Sequence, residues 1–233
     1  MLTTRTEILA DGVTLHMGDC RDVLPTLPRA DVVITDPPYG IAATWKGGKG
    51  HGWGNARAQG GLRNQWDAAA PDEALLEVIV AKADEVVIWG GNYFALPPSR
   101  GWLVWNKPER GFSLAEAELA WSNIDTVIRV FDGARSDPGR EHPTQKPLAL
   151  MKWCVSRLKG PHILDPFMGS GTTGVAAVQA GRRFTGIEIE PTYFDIACRR
   201  VSEALKQPDM FVEKPARAGP ADVLELPLDA TGR

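Results

Sequence analysis

Residues 162–174 read His-Ile-Leu-Asp-Pro-Phe-Met-Gly-Ser-Gly-Thr-Thr-Gly. The apolar run His162–Leu164 stops at Asp165-Pro166, and Gly169-Ser170-Gly171-Thr172-Thr173-Gly174 opens a helical pattern that continues to about Ala180. Strand, glycine turn and helix make the first half of a βαβ unit, in which backbone N–H groups come close to a ligand. The next apolar run, Arg183–Ile189, completes the unit and carries Glu188 at its end. Working outward, the spacing predicts strands at Val13–Met17, Asp31–Thr35, Glu85–Trp89, Trp102–Trp105, Glu118–Trp121 and Val127–Phe131. It predicts helices at Arg21–Leu27, Asp72–Lys82, Leu148–Leu158 and Pro191–Lys206, the last with Phe194, Ala197, Val201 and Leu205 on one face. Short apolar strands alternating with helices give a mostly parallel sheet covered on both faces.

In such sheets ligands sit beyond the carboxyl ends of the strands. Three unusual sequences fall there: Asp36-Pro37-Pro38-Tyr39-Gly40, the Asp165–Gly171 segment, and Glu188.

The chain has 233 residues, 43% of them hydrophobic, enough for one compact domain over 1–206 with a loosely attached tail over 207–233. No apolar run approaches a membrane span and the Met1–Asp11 start lacks a signal-peptide pattern. Cys20, Cys154 and Cys198 have no metal-type spacing, so the expectation is reduced thiols, no metal and a cytoplasmic protein. A net charge of −3 argues mildly against a nucleic-acid partner, but the cations are unevenly placed. Ile41–Trp66 contains no acid, seven glycines, Trp45, Trp53 and Trp66, and the cations Lys46, Lys49, Arg57 and Arg63. That insertion reads either as a loop that orders on a polyanion, Trp45 and Trp53 touching bases, or as ordinary solvated surface.

The glycine turn matches a dinucleotide fingerprint, with Glu188 for ribose hydroxyls. Two features point elsewhere. The turn comes late in the chain, and Asp165 stands where a pyrophosphate would be repelled. A ligand with one ribose, no phosphate, a sulfonium and an ammonium satisfies both carboxylates, and S-adenosylmethionine is such a ligand.

The Asp36-Pro37-Pro38-Tyr39 arm has its own chemistry. Two prolines fix φ twice and remove two donors, so the chain leaves the sheet stiff and extended. The Asp36 carboxylate and the Pro37 carbonyl can then accept both hydrogens of an amino group, and Tyr39 offers a face to a flipped base.

With these segments in view the chain resembles the β-class amino DNA methyltransferases of bacteria and phages, which modify adenine N6 or cytosine N4. The match runs over about Val13–Arg200. It rests on Gly18-Asp19-Cys20, DPPYG at 36–40, IWGGNYF at 88–94, WNKP at 105–108, HPTQKP at 142–147, DPFMGSGTTG at 165–174 and Gly186-Ile187-Glu188. The resemblance implies a Rossmann-like methyltransferase fold with a seven-stranded sheet and permuted motif order, the catalytic tetrapeptide preceding the cofactor motif. It implies that Asp36, Pro37, Pro38 and Tyr39 form the amino-group site. Asp165, Gly169 and Gly171 would hold the methionine part of S-adenosylmethionine, Glu188 its ribose and Asp19 its adenine edge. His142, Thr144, Gln145 and Lys146 would close over the cofactor, with Cys20, Asp36, Pro166, Phe167, Ser170 and Thr172 around it. DNA is the implied partner, through Lys46, Lys49, Arg57 and Arg63, and a homodimer stays open.

The chain departs from many relatives in lacking a large recognition domain; only 41–66 and 132–141 are candidates, which suggests a short target. Asp at position 36 favours adenine N6, with cytosine N4 the alternative. Enzymes acting on RNA or on protein glutamine use Asn-Pro-Pro-Tyr and place it after the cofactor motif, the reverse of the order here.

Overall fold

The computed structural model describes residues 5–40, 70–110, 115–134 and 145–207. Among these residues nine strands form one sheet: β1 (Arg5–Ala10), β2 (Val13–Met17), β3 (Val32–Thr35), β4 (Glu85–Trp89), β5 (Leu103–Asn106), β6 (Ala117–Ser122), β7 (Arg129–Asp132), β8 (His162–Asp165) and β9 (Arg183–Glu188). Their order across the sheet is β1-β2-β9-β8-β3-β4-β6-β5-β7. The pairs β2/β9, β9/β8, β8/β3, β3/β4 and β5/β7 are parallel, whereas β1/β2, β4/β6 and β6/β5 are antiparallel. The mostly parallel sheet therefore holds, but it has nine strands among the described residues, where the resemblance implied seven and the spacing gave eight. The strand missed in the sequence is β1, whose residues are exposed or half-buried, with Ile8 among the exposed apolar side chains. Such an edge has no continuous apolar signature.

Helices α1 (Cys20–Val23), α2 (Glu73–Ala81), α3 (Leu148–Val155), α4 (Thr172–Gln179) and α5 (Pro191–Lys206) cover the two faces. Alternation on the central strands sorts them. Val32, Ile34, Val87, Trp89 and Ile163 pack with buried residues of α3, α4 and α5, while Val33, Val86, Ile88, Leu164 and Ile187 pack with those of α1 and α2. The β3 sequence Val-Val-Ile-Thr is buried at all four positions, as a β-branched central strand should be. On α5, Phe194, Ala197 and Val201 face the core as expected. Leu205 does not: it is 37% exposed, and Ala204 takes the fourth buried position. The helix turns the smaller side chain toward the core and leaves the larger one partly exposed in its last turn.

The direction of chain travel reverses between β8 and β3. From β3 the chain crosses to β4 on one side, and from β8 it crosses through α4 to β9 on the other. A crevice at the carboxyl ends of β8 and β3 is the binding position that this topology creates. Trp89, Trp105 and Trp121 are core residues, as their strand positions suggested, and Trp102 is half-buried. Cys20 and Cys154 are buried and Cys198 half-buried, all three as free thiols. Burial pushes their pKa values up, to about 12 for the first two and about 11 for Cys198, so they stay protonated.

Candidate active site

Asp36, Asp165 and Glu188 follow or end three strands that run β3, β8, β9 side by side, which brings three carboxylates to one edge. Each has a different set of partners. Asp165 is buried; its Oδ1 accepts from Thr35 Oγ1 at 2.9 Å and from the Phe167 backbone N–H at 3.1 Å. Burial raises its pKa to about 6, against hydrogen bonds from Thr173, Thr35 and Phe167 that favour the charged form. Glu188 accepts the Gly169 N–H at 2.9 Å on one oxygen and the Glu190 N–H at 2.8 Å on the other. It thereby ties the glycine turn to the end of β9. Burial pushes its pKa to about 7, again against its backbone hydrogen bonds.

Both carboxylates lose hydration as charges, Asp165 buried and Glu188 half-buried, which suits them to a polyhydroxyl or cationic ligand. Glu188 carries a pH signature. Its folded-state pKa lies above its ordinary 4.5, so between about 4.5 and about 7 the folded protein holds a proton that the unfolded chain has released. Stability from this group is therefore lost as pH rises across that window. Relative to Glu188→Gln, the ligand-free protein should lose melting temperature between about pH 5 and about pH 7.5. A difference that stays flat with pH would contradict this.

The glycine turn is laced from below. Ser170 Oγ donates to Gln145 Oε1 at 3.1 Å, and Arg200 on α5 donates to the Ser170 carbonyl at 2.5 Å and to Thr172 Oγ1 at 3.2 Å. Gly169 has φ 54° with nothing within 4 Å of where a Cβ would lie, so one side of the turn is open to an incoming group. Gly171, at φ 80°, sits so close to α5 that a Cβ would come within 2.9 Å of Ala197. Asp19 caps α1, accepting the Arg21 N–H at 2.9 Å, and Cys20 is buried behind it. Pro166 is buried and Phe167 half-buried beside the turn.

Around Asp36 the arrangement is denser. Tyr39 donates its hydroxyl to Asp36 Oδ1 at 2.6 Å, and Lys146 Nζ lies 2.6 Å from Asp36 Oδ2. Lys146 also lies 3.1 Å from Glu118 Oε2, and Lys107 pairs with Glu118 Oε1. Lys146, expected to close over the cofactor, lies against Asp36 and the Tyr39 hydroxyl, two members of the tetrapeptide. Burial works against its charge, but Asp36, Glu118 and Tyr39 together outweigh it and hold its pKa above that of an ordinary lysine. Burial would likewise raise Glu118, yet Lys146 and Lys107 hold it down to about 2. Burial and then the Asp36 charge push the Tyr39 phenol well above its usual value, so it remains a hydroxyl donor.

The Tyr39 ring stacks on Tyr93 at 4.8 Å between centroids with 16° between planes, and Phe94 packs edge-on. Gly90, in a left-handed turn at φ 71°, is what admits Tyr39: a Cβ there would lie 2.1 Å from the ring. Glu118, Lys107, Gly90 and Tyr93 were not assigned to the site from sequence, although three of the four lie in segments that carried the resemblance. His142 and Thr144, and the proposed DNA contacts Lys46, Lys49, Arg57, Arg63, Trp45 and Trp53, lie outside the described residues, as do most of 132–141 and the tail from 208.

Known proteins share parts of this sequence and its fold. Residues 96–199 match the family model described as DNA methylase of the N6/N4 type. The span includes the 105–108, 142–147 and 165–174 motifs and Glu188; Asp36 lies before it. The chain is 52% identical over 63 residues to the type II methyltransferase M2.DpnII of Streptococcus pneumoniae, covering 26% of this chain and 24% of that relative's length. It is 28% identical over 212 residues to YubD of Escherichia coli (strain K12), covering 79% of this chain and 88% of YubD. Among solved structures, M1.HpyAVI in its SAM complex aligns with a TM-score of 0.55 at 24% identity over 80% of this chain and 98% of that one. The cytosine-N4-specific PvuII DNA methyltransferase aligns at 0.53 and 17% identity, over 80% and 85% of the two chains. Both share the fold. Residues 96–199, with the glycine turn and Glu188 among them, are thus similar to the DNA methylase family of the N6/N4 type.

Proposed function

We propose that this chain transfers a methyl group from S-adenosylmethionine to the exocyclic amino group of a base in DNA, adenine N6 before cytosine N4. The observation that carries the reading is the Asp36-Pro37-Pro38-Tyr39 arm beside Asp165 and Glu188 on one sheet edge. The residues present fit the cofactor. The open side of Gly169, the half-buried Glu188 and the buried Asp165 suit a ribose and a cationic amino-acid end, and would repel phosphates. When bound, S-adenosylmethionine supplies an electrophilic methyl group carried on a sulfonium.

The chain's own residues do the rest. Asp36 and the Pro37 carbonyl accept the hydrogens of the amino group and draw its lone pair out of conjugation with the ring. The Asp36 carboxylate also opposes the positive charge that grows on nitrogen, which is electrostatic stabilisation of the transition state. Tyr39 gives the base a rigid aromatic face, and the Gly90 turn holds that ring in place. Adenine is favoured because Asp, an ionised acceptor, stands at position 36; enzymes resembling this one with Ser there favour cytosine N4. Nucleoside mass spectrometry of DNA treated with the protein should yield N6-methyladenine. Dominant N4-methylcytosine would overturn the base while leaving the amino-group chemistry standing.

DNA contact is assigned to 41–66 on composition. Replacing Lys46, Lys49, Arg57 and Arg63 together by Ala should weaken DNA binding and lower the salt slope by about 3–4, since each phosphate contact contributes about 0.9 to that slope on duplex DNA. An identical slope before and after would make the segment ordinary surface.

A further inference from the structure

We propose that Lys146 and Glu118 are positioning residues for the transfer: Lys146 anchors one oxygen of Asp36, and Glu118 balances the lysine so that Asp36 keeps its charge for the amino group. This rests on the reading of Asp36 as the amino-group acceptor.

The geometry poses a problem that the proposal answers. A lysine ammonium 2.6 Å from Asp36 Oδ2 is a buried positive charge beside a nitrogen that must itself become positive. Alone, it would oppose the reaction and cancel the carboxylate that should help it. It is not alone. Glu118 Oε2 lies 3.1 Å from the same ammonium, and Lys107 closes the far side of Glu118. Two cations and two anions thus alternate Lys107–Glu118–Lys146–Asp36 from β6 and the end of β5 to the end of β3. The remaining charged or titratable neighbours are Tyr39, kept as a hydroxyl, and Asp165 on β8.

The aromatic setting fixes the lysine further. Its Nζ lies 5.8 Å from the Tyr39 ring centroid and 5.7 Å from that of Trp89, and its side chain is 9% exposed. An ammonium pinned on four sides holds Oδ2 still. Oδ1, which accepts the Tyr39 hydroxyl, is the oxygen that an amino group can reach when that hydroxyl turns away. Glu118 is joined to Asp36 by way of the Lys146 ammonium, so it acts through Lys146.

Single-turnover methylation with the full chain, S-adenosylmethionine and duplex DNA tests this. Glu118→Gln and Lys146→Gln should each slow the chemical step by about 10- to 100-fold, the cost of a misplaced catalytic group. Affinity for S-adenosylmethionine by calorimetry and for DNA should hardly move. The double variant should fall only to the level of the slower single variant, because Glu118 acts only through the lysine. Glu118→Asp, which keeps the charge and shortens the reach, serves if the glutamine variant does not fold, and should slow the same step. Losses that multiply in the double variant, or an unchanged single-turnover rate in folded variants, would overturn the proposal. Near-normal activity in Asp36→Ala would instead remove the reading on which it rests.

Discussion

Asp36→Ala should lower methyl transfer by at least about 10²–10³-fold, the usual loss when a preorganised charge-stabilising group is removed, while S-adenosylmethionine still binds. The two halves of this result have separate structural causes. Asp36 lies beyond the end of β3, with its carboxylate committed to Tyr39 and Lys146 rather than to the glycine turn. Asp165 and Glu188, which bracket the turn, keep their own backbone and hydroxyl partners in the variant. Lys146 retains Glu118, so the substitution does not strand a buried cation. Asp36→Asn, which keeps one acceptor and loses the charge, should fall between the two. Single-turnover rates with parallel calorimetry check both halves; near-normal turnover in Asp36→Ala would remove the catalytic assignment.

Glu188→Ala should weaken S-adenosylmethionine binding by about 10- to 100-fold with the fold intact. A carboxylate taking two ribose hydroxyls makes charge-assisted hydrogen bonds of about 1.5–3 kcal/mol each, part of which a bound water restores in the variant. Glu188 is suited to this because its two backbone partners hold the oxygens without using all of their lone pairs. Its second duty, tying Gly169 to the end of β9, means that the loss includes some slackening of the turn. Glu188→Gln separates the contributions, since it keeps one acceptor at the same place. Unchanged calorimetric affinity in Glu188→Ala would end the ribose assignment.

Much of this was legible in the sequence, for identifiable reasons. Central strands buried on both faces must be continuous apolar runs, so β3, β4 and β8 announced themselves and put Asp36 and Asp165 at their ends. The glycine turn was legible because only glycine meets the φ values and the close approach to Ala197. The edge strand β1 was not, since one-sided and partial burial imposes no strong pattern on it. The pairing of Lys146 with Asp36 was hidden for a different reason. The two lie 110 residues apart, and only the adjacency of β8 and β3 brings the segment before α3 over the β3 arm. Glu118 sits on a strand whose polar and apolar residues read as ordinary, and its two lysine partners become visible only when β6 is placed between β4 and β5. Gly90 belonged to a segment noted for its resemblance, but its reason, room for the Tyr39 ring, is a distance that no local pattern contains.

Amino methylation of DNA by this sheet edge can be read from the methylated product itself. Purified protein is incubated with methyl-labelled S-adenosylmethionine and, in parallel, duplex DNA, RNA or a glutamine-containing protein mixture, and the labelled product is digested and identified. The account predicts label in DNA alone, as a methylamino base, and none when Asp36 is Ala. Label in RNA or protein with none in DNA, or a DNA product methylated on ring carbon, would contradict it.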